Sequence, residues 1–280
     1  MQDILWELFK KTGDIKYYRL YQAIAKKKWW SLKIECVEGI VLSETNYSES
    51  SKILNVFTRE YGMIGILSKG CRNIKNKLRG VSRKLIYGKF HIYYKKDGLS
   101  TLTAVDIVDS FSKLLTDLEK VSYASFLLEL TSQVVRENDD SEILDLLKDI
   151  LVKMEEGYSP IILTEILELK LLDYLGVRPS RDGCSVCGSS KQIITVDSAS
   201  GGYLCRNCYH NQPLVSDKMI KLLRMFYYVD IKSISKLEVG DSVVLEINQF
   251  LDDYYDRYTG IYLKSKDFIR QINKLKQANQ

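Results

Sequence analysis

Ile53-Leu54-Asn55-Val56-Phe57-Thr58, then Arg59-Glu60-Tyr61-Gly62, then Met63-Ile64-Gly65-Ile66-Leu67: two short runs rich in β-branched and aromatic residues flank a polar segment that ends in glycine. Runs of this length and composition, bounded by turn chemistry, are strands of a hairpin. The same pattern extends in both directions, through Ile40-Val41-Leu42 upstream and through Phe90 to Tyr94 and Thr101 to Val108 downstream, with Lys96-Asp97-Gly98 as a further turn. Five or so strands with no helical period before Ser110, except for one turn around Leu78, predict a small antiparallel barrel. The chain has 280 residues, of which 45% are hydrophobic and only 3 are proline, so two or three packed domains are expected rather than disorder.

Beyond Ser110 the period becomes helical. Thr116-Asp117-Leu118-Glu119 has capping-box spacing, Asp139 or Ser141 opens a helix with Ile143, Leu146, Leu147, Ile150 and Met154 on one face, and Ser159-Pro160 places a cap before a proline. That last helix should run to Leu175 and stop at Gly176 and Pro179. Residues 181–212 read as a loop-rich cysteine insert. Three more helices are expected from Ser216 onward, one with Met219, Ile220, Leu223 and Phe226 on a face, another with Ile247, Phe250, Leu251 and Tyr254. Upstream of the barrel, Asp3 to Lys28 reads as two short helices divided at Gly13, with Tyr17, Leu20, Tyr21 and Ile24 on one side. Lys26-Lys27-Lys28 closes that segment, and Trp29-Trp30 follows as an aromatic anchor.

Cys184-Ser185-Val186-Cys187 and Cys205-Arg206-Asn207-Cys208 are two C-x2-C pairs at the spacing of a structural zinc site. Each pair can form a knuckle presenting two thiolates, and four sulfurs fill a tetrahedral shell, leaving no place for an activated water. Redox use, a disulfide and unliganded thiols are the competing readings; the thioredoxin-like context that redox use calls for is missing. Cys36 and Cys71 read as small buried hydrophobes, and His210 as an alternative ligand.

Lys69, Arg72, Lys75, Lys77, Arg79, Arg83, Lys84 and Lys89 occupy a 21-residue stretch without an acidic residue. A solvated face normally mixes signs, so this run is read as phosphate-binding, against the plainer reading of a soluble flexible loop. Charge is polarised along the chain: +5 over residues 1–34, +5 over 35–115, −8 over 116–180 and +3 over 181–280, for a net +5. Most of the 19 tyrosines, including Tyr227-Tyr228 and Tyr254-Tyr255, are expected in helical cores; Tyr93 or Tyr94 must face outward from a strand. No phosphate-binding loop, dinucleotide fingerprint or Ser, His and Asp set is present, which leaves an ATPase or hydrolase without residues. The longest stretch free of charge, Asn207 to Ser216, is ten residues, well short of the ~20 a membrane helix needs. With no secretory pattern visible, a reducing cytoplasm is the expected compartment.

Several stretches carry a resemblance to the bacterial recombination mediator family RecO: Glu38-Gly39-Ile40-Val41-Leu42, Tyr47 to Leu54, Phe57 to Gly62, Ser68-Lys69-Gly70, Leu172 to Pro179 directly before Cys184, Gly201 to Cys205, and Leu263 to Lys266. The resemblance implies an α+β multidomain protein: an OB-fold DNA-binding domain over 35–112 and a helical domain over 113–280 that carries a four-cysteine zinc-binding insert at 181–212. It implies one structural Zn2+ on Cys184, Cys187, Cys205 and Cys208, and DNA contacts from Lys69 and the basic run after it. The implied role is non-enzymatic: binding single- and double-stranded DNA, annealing complementary strands, contacting the C-terminal tail of the single-strand binding protein SSB and, with RecR, helping RecA displace it, close to the nucleoid. The competing expectation is a scaffold that works through protein contacts of the helical domain and does not bind DNA. Residues 1–34 stand apart; Trp6 to Ile15 followed by Tyr17-Tyr18-Arg19-Leu20-Tyr21 resembles the small protein YqzL, so the segment reads as a fusion or as a lineage-specific helical extension.

Overall fold

A computed structural model describes residues 2–21, 34–136, 138–236, 238–266 and 268–269. Five strands, β1 (Ile34–Tyr47), β2 (Ser51–Thr58), β3 (Gly62–Ser68), β4 (Tyr87–Tyr93) and β5 (Ser100–Asp109), close into a barrel in the order β1-β2-β3-β5-β4. Strand β1 is 14 residues long because it serves two neighbours, its first half pairing with β4 and its second with β2. A register shift between Val41 and Ser43 bends it from one to the other. The expected all-antiparallel pattern needs one correction: β3 and β5 pair in parallel, Ile66 opposite Ser100, and this is the seam that closes the sheet. Where β1 crosses between its partners, Gly39 lies opposite Gly88. A Cβ at Gly39 would come 2.5 Å from the Phe57 carbonyl oxygen and one at Gly88 2.3 Å from that of Asp106, so only glycine fits at either place. Val37, Val41, Leu54, Val56, Ile66, Ile86, Phe90, Ile92 and Leu102 fill the interior.

The helical half comprises α2 (Leu118–Val134), α3 (Ser141–Glu156), α4 (Pro160–Tyr174), α5 (Asp217–Tyr228) and α6 (Asp241–Tyr258). Two caps differ from expectation by a residue. Asp117, not Thr116, accepts from the N–H groups of Glu119 and Lys120, since the Thr116 hydroxyl is already donating to the Lys113 carbonyl. Asp140, not Asp139 or Ser141, caps α3. Ser159 precedes Pro160 as expected, but its side chain makes no capping bond. Helix α4 is buried on every side, with α2, α3, α5 and α6 packed around it. Ile40, Leu42, Phe57, Leu85 and Tyr87 from the barrel share one apolar core with these helices, so the two halves are fused by packing.

Upstream, α1 (Gln2–Thr12) and the helical residues 15–21 turn at Gly13 and meet through aromatic rings, Trp6 with Tyr21 and Phe9 with Tyr18, both pairs at 5.1 Å. Leu20, expected on the covered face, is exposed. Ile24, the lysines at 26–28 and the two tryptophans at 29 and 30 lie outside the described residues.

Candidate metal centre and nucleic-acid interface

The cysteine insert is organised by a two-stranded hairpin, β6 (Ile193–Asp197) and β7 (Gly202–Cys205). The first knuckle closes when the Gly188 N–H reaches back to the Cys184 carbonyl at 2.8 Å, Gly188 taking the left-handed φ of 74° that such a turn requires. The second begins as β7 ends, with Arg206–Cys208 forming a single 3-10 turn. Ser185 N donates to the Tyr203 carbonyl at 2.8 Å, which draws the two knuckles together. All four Sγ atoms then lie within 4.8 Å of one another, and Cys187 Sγ sits 3.6 Å from Cys205 Sγ. Tetrahedral zinc at ~2.3 Å from each sulfur implies S···S separations of about 3.8 Å, which this cluster fits; a disulfide would need ~2.05 Å, and all six cysteines are free.

The electrostatics of the cluster also fit a cation. Burial pushes the Cys184 thiol up, yet backbone hydrogen bonds from Cys205, Cys187 and Val186 outweigh it and bring the thiol below its ordinary value. Cys208 moves the other way, to about 12, through hydrogen bonding with Cys187 first, then burial and its other sulfur neighbours. Four thiolates this close repel one another unless a positive ion lies among them. His210 is exposed and outside the cluster. The insert is anchored to the helices by Tyr203, whose hydroxyl donates to the Ile220 carbonyl at 2.9 Å, and by Tyr258, whose hydroxyl donates to that of Ser198 at 3.0 Å.

The acid-free stretch forms the connection from β3 to β4 and continues onto β4. Its path is pinned at the β1–β2 turn, where Arg72 N donates to the Ser50 carbonyl at 2.8 Å and Gly70 N to Ser51 Oγ at 3.2 Å. Lys69, Arg72, Lys75, Lys77, Arg79, Lys84 and Lys89 are exposed, and among the described residues none of them forms an ion pair. Arg83 differs: it is half-buried, and Nη2 donates to the Ser110 carbonyl at 3.3 Å. Lys84 reaches across to the helical half, its Nζ donating to Ser125 Oγ at 2.9 Å.

Other expectations need adjustment. Cys71 is buried, but Cys36 is exposed on β1. Tyr228 is not a core residue; it is 55% exposed and donates to Asp182, while Tyr227, Tyr254 and Tyr255 are buried as expected. Tyr93 faces outward, and Tyr94 stacks on Tyr61 with ring centroids 4.0 Å apart. His91 pairs with Asp106 at 2.8 Å. Sequence reasoning missed the junction of the two halves: Arg59, in the turn just after β2, grips both oxygens of Asp145 on α3 at 2.7 and 3.0 Å, with Glu38 and Lys148 alongside. Its only sequence trace is an arginine in a predicted turn, and turn arginines are common.

These parts define a class: a closed five-stranded barrel of OB type joined to a helical domain that bears a four-cysteine, metal-competent insert. Family models described as recombination protein O N terminal and recombination protein O C terminal match residues 34–111 and 115–267. The chain belongs to the RecO family. Proteins named DNA repair protein RecO are similar along nearly their whole length: one from Listeria monocytogenes serotype 4a is 33% identical over 245 residues, 86% of this chain and 96% of the relative. Its counterpart in Bacillus pumilus is 34% identical over 244 residues, 86% and 95% of the two chains, and that of Halalkalibacterium halodurans 33% over 242, 85% and 95%. Residues 1–33 precede both family matches.

Proposed function

We propose that this chain is a cytoplasmic, non-enzymatic DNA-binding mediator of recombinational repair. It binds single- and double-stranded DNA, anneals complementary strands, engages the C-terminal tail of SSB and, with RecR, helps RecA load on the coated strand. In this reading residues 35–112 form the DNA-binding domain and 113–280 the helical domain, with the insert at 181–212 held by one structural Zn2+ on Cys184, Cys187, Cys205 and Cys208. Zinc there supplies folding free energy and no chemistry, because four thiolates complete its shell. Among the described residues no helix is long and apolar enough to cross a membrane.

The observation that carries the reading is the basic connection itself. Exposed cations that pair with no carboxylate among the described residues repel one another, and a polyanion relieves that repulsion. Lys69, Arg72, Lys75, Lys77 and Arg79 are the residues assigned to phosphates; Lys84 contributes from the far end, and Arg83, tied to Ser110, holds the loop in place. Four phosphate contacts on single-stranded DNA give a slope of about −3 in log K against log salt. A variant with Lys69, Lys75, Lys77 and Arg79 all replaced by Ala should lose most of that slope and weaken different sequences about equally. Undiminished binding by this variant would favour the scaffold reading, in which the acidic helical surface makes protein contacts alone.

A further inference from the structure

The basic connection does not end on the barrel. Lys84 opens a cleft of mixed polar and apolar lining, about 590 Å3, between the bend in β1 and α2, lined among others by Leu42, Ser125, Leu128, Glu129, Gln133 and Arg136. Ser125, Glu129 and Ser132 follow one another at helical spacing on α2, seven residue steps or about 10 Å, and Arg136 lies just past the C-terminal end of that helix. Among the described residues two carboxylates touch this cleft, and both are hydrogen-bonded from within. Glu44 accepts from Lys52 Nζ at 2.9 Å and from the Lys84 N–H. Glu129 accepts from the N–H groups of Lys264 and Ser265 at 3.1 and 2.9 Å and from the Ser265 hydroxyl. Burial would raise Glu129, but those hydrogen bonds hold it below the usual carboxylate range.

The cations of the cleft are in the opposite condition. Arg136 is exposed and forms no ion pair among the described residues, although it sits in the acidic part of the chain, where Lys148 and Lys153 are both paired. Among the described residues the Lys84 ammonium donates to a neutral hydroxyl and pairs with no carboxylate. Hydroxyls and an amide beside Leu42 and Leu128, two cations without a carboxylate partner among the described residues, Glu44 paired with Lys52 and Glu129 hydrogen-bonded within the chain suit a phosphodiester chain better than an apolar peptide. At about 590 Å3 the cleft holds a short stretch of one strand and not a duplex.

Resting on the reading of the basic connection as a DNA contact, we propose that a single strand leaving that connection passes Lys84 and continues through this cleft to Arg136, so that the helical half supplies the second part of the binding track. A single strand lying along this face presents only a few phosphates to it. Each phosphate contact on a single strand contributes about 0.7 to the salt slope, which is about fivefold in affinity at 0.1 M salt relative to 1 M.

The test titrates the full chain with fluorescent oligothymidylate of about six nucleotides, within the site size of one barrel, and of about twenty. Arg136→Ala should leave the short oligonucleotide unaffected, weaken the long one about fivefold at 0.1 M salt and reduce its slope by about 0.7. Gln133→Lys, which adds a cation to the same face, should tighten the long one by a similar factor. If both substitutions leave the long oligonucleotide unchanged while the Ala variant of the connection weakens both lengths, the strand leaves the barrel elsewhere and the cleft is overturned, with the basic connection still standing. If the connection variant has no effect and Arg136→Ala still weakens the long strand, the connection fails and the cleft binds DNA without it.

Discussion

Replacing Glu165 with Gln should make this protein more stable, and increasingly so as the pH rises. Glu165 sits on the central helix α4 with 0% of its surface exposed, and among the described residues neither carboxylate oxygen has a hydrogen-bond partner. Burial, followed by the neighbouring Glu168, pushes its pKa from 4.5 up to about 9; burial also pushes Glu168 up to about 8, with Lys266 opposing and Asp252 adding to the rise. A carboxyl whose folded pKa lies above its unfolded value binds its proton more tightly in the native state. Its contribution is therefore fully present below pH 4.5 and is lost progressively as the pH climbs toward 9. At 1.36 kcal/mol per unit, the three units from 4.5 to 7.5 amount to about 4 kcal/mol. Glu165→Gln removes that titration, so its stability relative to the wild type should be near zero at pH 4.5 and about 4 kcal/mol higher at pH 7.5. Glu165→Met, which also removes the unpartnered polar atoms, should gain a further ~1–3 kcal/mol at both pH values. Urea unfolding at a series of pH values measures all three proteins. Parallel stability profiles for wild type and Glu165→Gln would refute the argument, since they would mean the carboxyl is not kept neutral by its surroundings.

Two further expectations concern the joints of the fold. Purified protein should hold about one equivalent of zinc, and Cys205→Ser should lose metal and solubility together, because such binding contributes on the order of 10 kcal/mol to the local fold; metal retained in a Cys205→Ser, Cys208→Ser double variant would overturn the four-thiolate assignment. At the barrel–helix junction, the Arg59 hydrogen bond chiefly, assisted by Lys148 against the effect of burial, holds Asp145 down at about 2. That stabilisation is present above the unfolded value of 3.8 and is lost as the pH falls through 2, so Arg59→Ala should cost about 1 kcal/mol at neutral pH, little for a partly solvated pair, and no measurable difference should remain at pH 2. A deficit that persists at pH 2 would assign the loss to packing of the arginine stem instead.

The sequence by itself determined what short-range chemistry controls. Strands at Ile53 to Thr58 and Met63 to Leu67 are legible because β-branched and aromatic residues alternate with turn formers, and the sides of a strand or helix are set by residues two to four apart. The four-cysteine cluster is legible for the same reason: each C-x2-C is a local knuckle, and only one long-range step, the β6–β7 hairpin, is needed to unite them. What depends on where distant segments meet was decided by the tertiary structure. The parallel seam of β3 with β5 follows from barrel closure, which no local pattern encodes. Cys36 and Cys71 are chemically identical, and the barrel exposes one and buries the other. Thr116 lost the cap of α2 to Asp117 because a preceding turn engaged its hydroxyl. Arg59 meets Asp145 across 86 residues, and Lys84 meets Ser125 across 41, because the barrel and helices share one apolar core that fixes their relative placement. That packing also leaves Arg136 lining the same cleft as Lys84, since a charge count along the chain records how many cations a segment holds, while the fold sets which carboxylates they can reach.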